Sequence, residues 1–191
     1  MNVILISGLK RSGKDFVAEK LQEKMYSSKV FAFAEPLKDI IAITMGLKMG
    51  DLEKYKNDGE HIFTHTEMLN ADPEPFTNFR SILQRFGTEA MKKHFGDDVW
   101  VNLLIDKLYN LNLTTVIVSD WRFMSEYNAL ADVADVWTVR VHDDNLTPDD
   151  HASETELMDF NFDLVVDNTA KDDSILAEVD RIATTVGSYM K

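Results

Sequence analysis

One short loop constrains this chain more than any other feature. After the apolar run 3–6, residues 8–15 read Gly-Leu-Lys-Arg-Ser-Gly-Lys-Asp and fit the pattern G-x-x-x-x-G-K of a phosphate-binding loop. In such a loop, successive backbone N–H groups and a helix N-terminus converge on anionic oxygens. The motif follows a predicted strand and precedes a predicted helix, which is the context that it requires. The loop therefore predicts a nucleoside triphosphate site. Its predicted phosphate-binding residues are Gly8, Ser12, Gly13 and Lys14.

The residue after the lysine departs from the usual motif. Asp15 stands where Ser or Thr normally ligates Mg²⁺. A carboxylate can bind a hard cation directly or hold one of its waters, and an Asp in a first helical turn also stabilises the helix dipole. Both roles stay open for Asp15. Asp120, which ends the apolar run 115–119, is the second predicted metal residue, and its alternative role is a helix N-cap paired with Arg122.

Composition excludes several classes of function. The 191 residues suit one domain, and their net charge of −13 argues against general nucleic-acid binding, which needs a basic surface. A small anionic substrate remains compatible if cations cluster locally. Cysteine is absent, the amino terminus does not resemble a signal peptide, and no apolar run approaches a membrane span. We expect a cytoplasmic protein without a nucleic-acid or membrane partner.

Apolar runs and helical periods alternate along the chain. Strands are predicted at 2–7, 30–33, 115–119, 136–141 and 162–166, and helices from 13, from Pro36, over 78–96, 97–111 and 125–132, and from 172. This order predicts an α/β fold with a five-stranded parallel sheet covered by helices on both faces. Residues 49–78 indicate a loop-rich insertion, and the acidic stretch 143–156 a flexible lid.

Ligands of parallel sheets bind at the carboxyl ends of the strands. Gly8, Glu35, Asp120 and Arg140 are therefore predicted to face one crevice. The lid contains neither Lys nor Arg, so the positive charge that stabilises a transferring phosphoryl group must come from elsewhere. The candidates are Lys10, Arg11, Lys14, Arg122 and Arg140. For Lys10 and Arg11 the alternative is a pair of solvated loop cations.

Helical phase separates two faces in the segment 78–95. At about 100° per residue, one apolar stripe forms, and Arg80, Gln84, Gly87 and Thr88 fall on a separate polar face. Gly87 costs about 1 kcal/mol inside a helix, which either a close ligand approach or a helix break would explain. Trp100 is compatible with stacking on a nucleobase or with core packing, and the residues alone favour the core.

Several segments together resemble one known family, the bacteriophage deoxynucleoside monophosphate kinases. They are residues 7–15, 35–39, 80–88 with Trp100-Val101, 119–122 and 139–141. The resemblance spans nearly the whole chain and implies the nucleoside monophosphate kinase branch of the phosphate-loop NTPase fold. It implies one domain over residues 1–191, with a substrate-binding insertion at about 49–111 and a short lid at about 143–156.

The resemblance also implies a reaction. The γ-phosphoryl group of ATP, with Mg²⁺, would pass to a deoxynucleoside monophosphate (dNMP) and give dNDP and ADP. Arg11 and Lys14 would hold the donor phosphates, whereas Arg80 and Arg122 would hold the acceptor phosphate. The resemblance favours base stacking for Trp100, and a homodimer is a further expectation. The implied substrate-binding residues are Lys38, Arg80, Gly87, Thr88, Trp100, Asp120, Arg122 and Glu126.

Two alternatives remain at this point. Animal phosphomevalonate kinases have a similar phosphate loop, an S-D-x-R strand end and a T-V-R-V strand. The run 83–88 and Trp100 favour the nucleotide enzyme, because a nucleobase needs a stacking surface and mevalonate phosphate does not. The second alternative is a nucleotide-binding module without catalysis, against which Lys14, Asp120 and Arg122 argue.

Overall fold

The computed structural model describes residues 1–48, 52, 79–148 and 151–188. It divides the chain into two compact units, which we call the sheet unit (Met1–Phe33 and Val101–Lys191) and the helical unit (Ala34–Trp100). The elements in chain order are β1 (Asn2–Ser7), α1 (Lys14–Lys24), β2 (Ser28–Phe31), α2 (Glu35–Met45), α3 (Phe79–Gln84), the π-helix π1 (Arg85–Lys92), α4 (Lys93–Phe95), α5 (Val99–Leu108), β3 (Thr115–Val118), α6 (Met124–Ala131), β4 (Asp135–His142), α7 (Ala152–Thr155), β5 (Leu164–Asp167) and α8 (Ser174–Ser188).

The sheet has five parallel strands in the order β2-β3-β1-β4-β5. This order, with the loop between β1 and α1, confirms the predicted α/β class and the phosphate-loop NTPase fold.

Two strands are shifted from their predicted bounds. Strand β2 ends at Phe31 because the Phe33 N–H donates to Asp120 Oδ1 instead of a neighbouring strand. Strand β5 begins at Leu164 because the Asp163 carboxylate, just before it, accepts from the backbone and side chain of Thr138.

The core lies on both faces of the central strand. Residues 3–6 of β1 are fully buried, so the strand reads as a continuous apolar run rather than an alternating one. On one face, Ile4 and Ile6 pack with residues of α1 and α8, among them Leu21, Val179 and Ile182. Each buried aliphatic side chain of this size contributes about 1.5–3 kcal/mol. The sheet is therefore a rigid support for the loops at its carboxyl edge.

The helical unit contains a widened helix that the sequence did not predict. The predicted helix 78–96 is present from Phe79 to Phe95, but its middle is the π-helix π1. A Cβ at Gly87 would lie 2.8 Å from Leu37 Cδ2 of α2. The predicted helix break at Gly87 is wrong, because the helical segment continues through this residue, and the close neighbour of Gly87 is the apolar side chain of Leu37. Since π geometry changes the angle per residue, the helical phase predicted for Gly87 and Thr88 does not apply in π1. Gly87 is buried, whereas Thr88 is half-buried.

Parts of two predicted segments lie outside the described residues. The insertion 49–78 falls there except for Leu52, and so do residues 149 and 150 of the lid. The rest of the lid segment contains the buried Asp143 and the short helix α7. The division into a single domain with an insertion and a lid stays a prediction. In the described parts of the chain, no helix has the length and apolar character that crossing a membrane requires.

Candidate nucleotide-binding site

The loop between β1 and α1 has the backbone form of an anion cradle. Arg11 (φ 68°) and Gly13 (φ 96°) are both left-handed, and the Ser12 N–H donates to the Leu9 carbonyl at 3.1 Å. Helix α1 begins directly after Gly13, and no side chain among the described residues caps it there. The first N–H groups of a helix have no partner within the helix, and they lie at the positive end of its dipole. The start of α1 can therefore bind anionic oxygens.

Both glycines of the loop are needed for close packing. A Cβ at Gly8 would lie 2.5 Å from Ser12 Oγ and 2.7 Å from the Val141 carbonyl, and one at Gly13 would clash with Asn168 Nδ2. Ser12 is 1% exposed, and its Oγ has no hydrogen-bond partner within the described parts of the chain. A buried hydroxyl without a partner fits a ligand oxygen. The predicted phosphate-binding residues thus form a loop that suits the phosphates of a nucleotide.

The charged residues of the loop differ in exposure. Lys14 is buried, and its Nζ lies 3.4 Å from Asp15 Oδ2, whereas the Asp15 side chain is 64% exposed. Lys10 and Arg11 are exposed. No cluster of three or more His, Asp or Glu able to hold a metal occurs in the part of the chain that the structure describes. Mg²⁺ in phosphoryl-transfer sites commonly takes one or two carboxylates with phosphate oxygens, so Asp15 and Asp120 still suit it.

The segment after β3 is fixed by a buried tryptophan. Trp121 is fully buried, donates its backbone N–H to the Ile6 carbonyl at 3.2 Å, and packs edge-on against Phe160 and Phe162. It therefore fixes the residues on either side of it. Asp120 Oδ1 accepts from Phe33 N at 2.8 Å. The N-cap alternative for Asp120 is wrong, because helix α6 has Phe123 at that position.

Arg122 is held by a carboxylate that the sequence did not single out. Its Nη1 lies 3.1 Å from Glu154 Oε1 and 3.2 Å from the Ser153 carbonyl, both in α7. The Glu154 side chain is almost completely buried. Glu154 belongs to an acidic stretch, where nothing in the local pattern distinguishes a buried carboxylate from a solvated one.

Arg140 lies beside the end of β1. Its register partner is Ser7, whose Oγ accepts from Arg140 Nη1 at 3.1 Å, and its guanidinium carbon lies 5.6 Å from the Phe162 ring centroid. Burial lowers the pKa of Arg140, and the nearby charge of Arg122 lowers it further, while Glu154 opposes this. The guanidinium remains charged because its ordinary pKa is so high. Arg122 and Arg140 thus lie close enough for their charges to interact, and two neighbouring guanidinium groups attract an anion.

The carboxyl edge of the sheet brings most of the predicted residues together. Gly8 and Asp120 follow the neighbouring strands β1 and β3, and Arg140 lies near the end of β4, two residues before His142. Glu35 belongs to the helical unit, where it begins α2. Glu126 is buried, and its Oε2 accepts from the backbone N–H groups of Arg122 and Phe123, at 3.0 Å each. This contact stabilises the turn that carries Arg122, and a contact of Glu126 with substrate stays a prediction.

The remaining predicted substrate residues belong to the helical unit. Trp100 is 4% exposed and donates its Nε1–H to the Gly87 carbonyl at 3.1 Å. Lys38 and Thr88 are half-buried. Arg80 lies in α3, but its side chain is outside the described part of the chain. The burial of Trp100 agrees with the core role that the residues alone favoured, and base stacking stays a prediction.

A cavity of about 360 Å³ lies within the helical unit. Its walls are mostly apolar and come from α2, α3, π1 and α4. The lining residues include Ile41, Met45, Ile82, Arg85, Phe86 and His94. Arg85 and Glu89, at 3.7 Å, form an ion pair on its wall.

The sequence reasoning missed the segment 168–171 after β5. Asn168 Nδ2 donates to the Ser12 carbonyl and Lys171 Nζ to the Arg11 carbonyl, each at 2.8 Å. A usable signal was present, because polar residues follow β5 directly, at the same sheet edge as the phosphate loop.

Known proteins resemble parts of this molecule. The family model of deoxynucleotide monophosphate kinases matches residues 2–61, a stretch that begins with β1, the phosphate loop and α1. The predicted resemblance to that family is confirmed over this stretch. The match covers less than half of the chain, and no curated protein matches it. The family match and the loop geometry support a phosphate-loop kinase, a class of phosphotransferase. The resemblance to phosphomevalonate kinases stays a prediction.

Solved structures with related architecture include three that cover almost the whole chain. A gluconokinase from Sinorhizobium meliloti 1021 is 13% identical, with 100% of this chain and 98% of that chain covered and a TM-score of 0.46. APE1195 is 17% identical, with 99% and 96% covered and a TM-score of 0.46. The tunicamycin resistance protein of Deinococcus radiodurans is 15% identical, with 97% and 95% covered and a TM-score of 0.47. Similarity at this level does not bear on the substrate.

Proposed function

We propose that this protein is a deoxynucleoside monophosphate kinase, which transfers the γ-phosphoryl group of ATP to a dNMP and gives dNDP and ADP. The observation that carries the proposal is the pairing, within the sheet unit, of a phosphate loop with two partly buried arginines. The loop suits a donor triphosphate. The arginines suit a second phosphate, which is the feature that separates a kinase with a phosphorylated acceptor from a simple ATPase.

The loop and the start of α1 would bind the donor. Backbone N–H groups of the loop and the hydroxyl of Ser12 meet the β- and γ-phosphate oxygens, and Lys14 adds a positive charge. Arg11 and Lys10 lie exposed in the same loop, and they would approach the phosphates from the solvent side. Asp15 and Asp120 would hold Mg²⁺, which when bound neutralises charge on the phosphate oxygens.

Arg122 and Arg140 would bind the acceptor phosphate. In the reaction, an acceptor phosphate oxygen bonds to the γ-phosphorus while the bond to the β–γ bridging oxygen breaks, leaving ADP. Negative charge builds up on both sides of the transferring group, and fixed guanidinium groups stabilise it without reorganisation. Ser7 and Phe162 orient Arg140, whereas Glu154 and the Ser153 carbonyl orient Arg122.

Recognition of the nucleoside would come from the helical unit. The family resemblance places Lys38, Gly87, Thr88 and Trp100 in the substrate pocket, together with Glu126 of the sheet unit. It assigns Arg80 to the acceptor phosphate, as it does Arg122. The proposal includes a cytoplasmic location and a homodimer. It includes no nucleic-acid partner, because the net charge of −13 opposes binding to a polyanion.

A coupled assay of ADP release tests the acceptor. Purified protein with ATP and Mg²⁺ is offered dTMP, dGMP, dCMP or dAMP in turn, and the rate without an acceptor is subtracted. We expect turnover that depends on at least one dNMP. Absence of turnover with all four would contradict the proposal.

A phosphomevalonate kinase is the second candidate. The arginine pair recognises a phosphate rather than a base, and Trp100 is almost fully buried, so these contacts suit a phosphorylated acceptor without a nucleobase. Phosphomevalonate belongs in the same assay as a fifth acceptor. Turnover of phosphomevalonate alone would select this candidate, and tight ATP binding without transfer to any acceptor would indicate a non-catalytic module.

A further inference from the structure

The carbonyl groups of the phosphate loop need partners of their own. When the N–H groups of a loop turn toward an anion, its carbonyl groups turn the other way, and buried carbonyls without partners are costly. Two consecutive carbonyls, those of Arg11 and Ser12, accept hydrogen bonds from the segment 168–171. Asn168 Nδ2 donates to Ser12 and Lys171 Nζ donates to Arg11, at 2.8 Å each.

The segment 168–171 is itself firmly held. The Asn168 N–H donates to the His142 carbonyl at 2.9 Å, and the Asn168 side chain is buried. Lys171 Nζ lies 2.5 Å from Asp143 Oδ2, and the side chain of Asp143 is almost fully buried. This ion pair and the Asn145 N–H lower the pKa of Asp143, which therefore stays ionised opposite Lys171. The two donors reach the loop from a fixed support.

The loop conformation depends on this support. Arg11 has a φ of 68°, which costs a non-glycine residue about 1–3 kcal/mol and persists only where its surroundings impose it. The Lys171 bond is made to the carbonyl of that residue. Asn168 Nδ2 also fills the space into which a Cβ at Gly13 would project. Both left-handed residues of the loop therefore have a neighbour from the segment after β5.

We propose that Asn168 and Lys171 are positioning residues for the triphosphate. By holding the Ser12 and Arg11 carbonyls outward, they keep the loop N–H groups directed at the phosphates before ATP arrives. Preorganisation of this kind lowers the cost of binding. The inference rests on the proposed function as far as ATP is the ligand, and it predicts a loss of ATP affinity rather than of acceptor affinity.

The test measures ATP binding by titration calorimetry, without acceptor, on Asn168→Ala and a matched control, Asn110→Ala. Asn110 also donates its side-chain amide to a backbone carbonyl, that of Asp106, but on an exposed helix end away from the loop. We expect the Kd for ATP to rise about tenfold in Asn168→Ala, as loss of one preorganising hydrogen bond implies, and to stay unchanged in Asn110→Ala. An unchanged Kd for ATP in a folded Asn168→Ala would overturn the inference.

Lys171 provides the second variant if Asn168→Ala does not fold. Lys171→Gln loses the charged donor and should raise the Kd and KM for ATP, while Lys171→Arg keeps a donor and should restore them. In both variants the KM for the acceptor should remain within about twofold. Equal increases in both KM values would overturn the inference. ATP binding without transfer in the unmodified protein would contradict the proposed function but leave this test intact.

Discussion

The phosphate loop and the π-helix π1 both contain a glycine that packs closely, but the neighbours of the two glycines differ in kind. Gly13 has a φ of 96°, and a Cβ there would meet the buried amide of Asn168. Gly87 lies in a helical segment, and a Cβ there would meet Cδ2, at the far end of the Leu37 side chain, at 2.8 Å. Gly13 therefore satisfies a backbone requirement, whereas Gly87 satisfies a packing requirement. The backbone requirement at Gly13 can be recognised from the loop motif in the sequence, whereas the packing requirement at Gly87 cannot.

The largest expected effect is at the lysine of the loop. Lys14→Ala removes a buried positive charge beside the loop N–H groups, and we expect kcat to fall by about 10²–10³-fold or more. Lys20→Ala is the matched control, because Lys20 lies on the same helix and pairs with Glu23 at the surface. Steady-state rates of the two variants check this. A near-normal kcat in Lys14→Ala would refute the role of Lys14.

The next effect tests the comparison of the two glycines directly. Gly13→Ala should lower ATP affinity strongly, because an alanine at a φ of 96° costs about 1–3 kcal/mol and its Cβ also clashes with Asn168. Gly87→Ala should change the free energy of unfolding by less than about 1 kcal/mol, because Leu37 can move and alanine favours a helix. Calorimetry and denaturant unfolding measure the two effects. A larger free-energy cost in Gly87→Ala than in Gly13→Ala would contradict the distinction between the two glycines.

Trp100 separates a packing role from a binding role. Trp100→Ala should raise the KM for the dNMP more than the KM for ATP, because the resemblance assigns this residue to the acceptor side. Trp100→Phe keeps an aromatic ring but loses the hydrogen bond to the Gly87 carbonyl, and we expect it to cost about 1 kcal/mol of stability. Kinetics and unfolding of both variants are needed. Equal changes of both KM values would instead indicate that Trp100 only packs.

The smallest effect concerns acid stability. The pKa of Asp143 is lowered in the folded protein by Lys171, so its ionised form contributes stability above the unfolded pKa of about 3.9. That contribution is lost as the pH falls through the lower folded pKa. Asp143→Asn should therefore be less stable than the unmodified protein at pH 7, and the difference should shrink below about pH 4. Thermal unfolding as a function of pH measures this difference in stability. A difference that does not depend on pH would contradict the stabilising role of the ionised Asp143 carboxylate.

The sequence predicted the regular framework because local patterns determine it. The buried run of β1, the glycines of the loop and Pro36 at the start of α2 each act within a few residues, and each appears where predicted. Asp120 and Arg140 were found because the carboxyl ends of neighbouring parallel strands must lie at one edge.

The contacts that the sequence did not predict join distant residues. Glu154 pairs with Arg122 across 32 positions, and Asn168 reaches Ser12 across 156. The π geometry of π1 similarly accompanies packing of Gly87 on Leu37, fifty positions earlier. The order of the strands indicates that polar residues after β5 lie at the same sheet edge as the phosphate loop, but a single sequence does not show which of these distant residues pair.

Transfer of a labelled phosphoryl group tests the central claim most directly. The protein is incubated with Mg²⁺, ATP labelled in its γ-phosphate and each dNMP in turn, and the products are separated. The proposed function predicts that the label appears in a dNDP, in equal amount to the ADP formed, and that Lys14→Ala forms this product at least about 10²–10³-fold more slowly. Label found only in inorganic phosphate, or retained entirely in ATP with every dNMP, would contradict it.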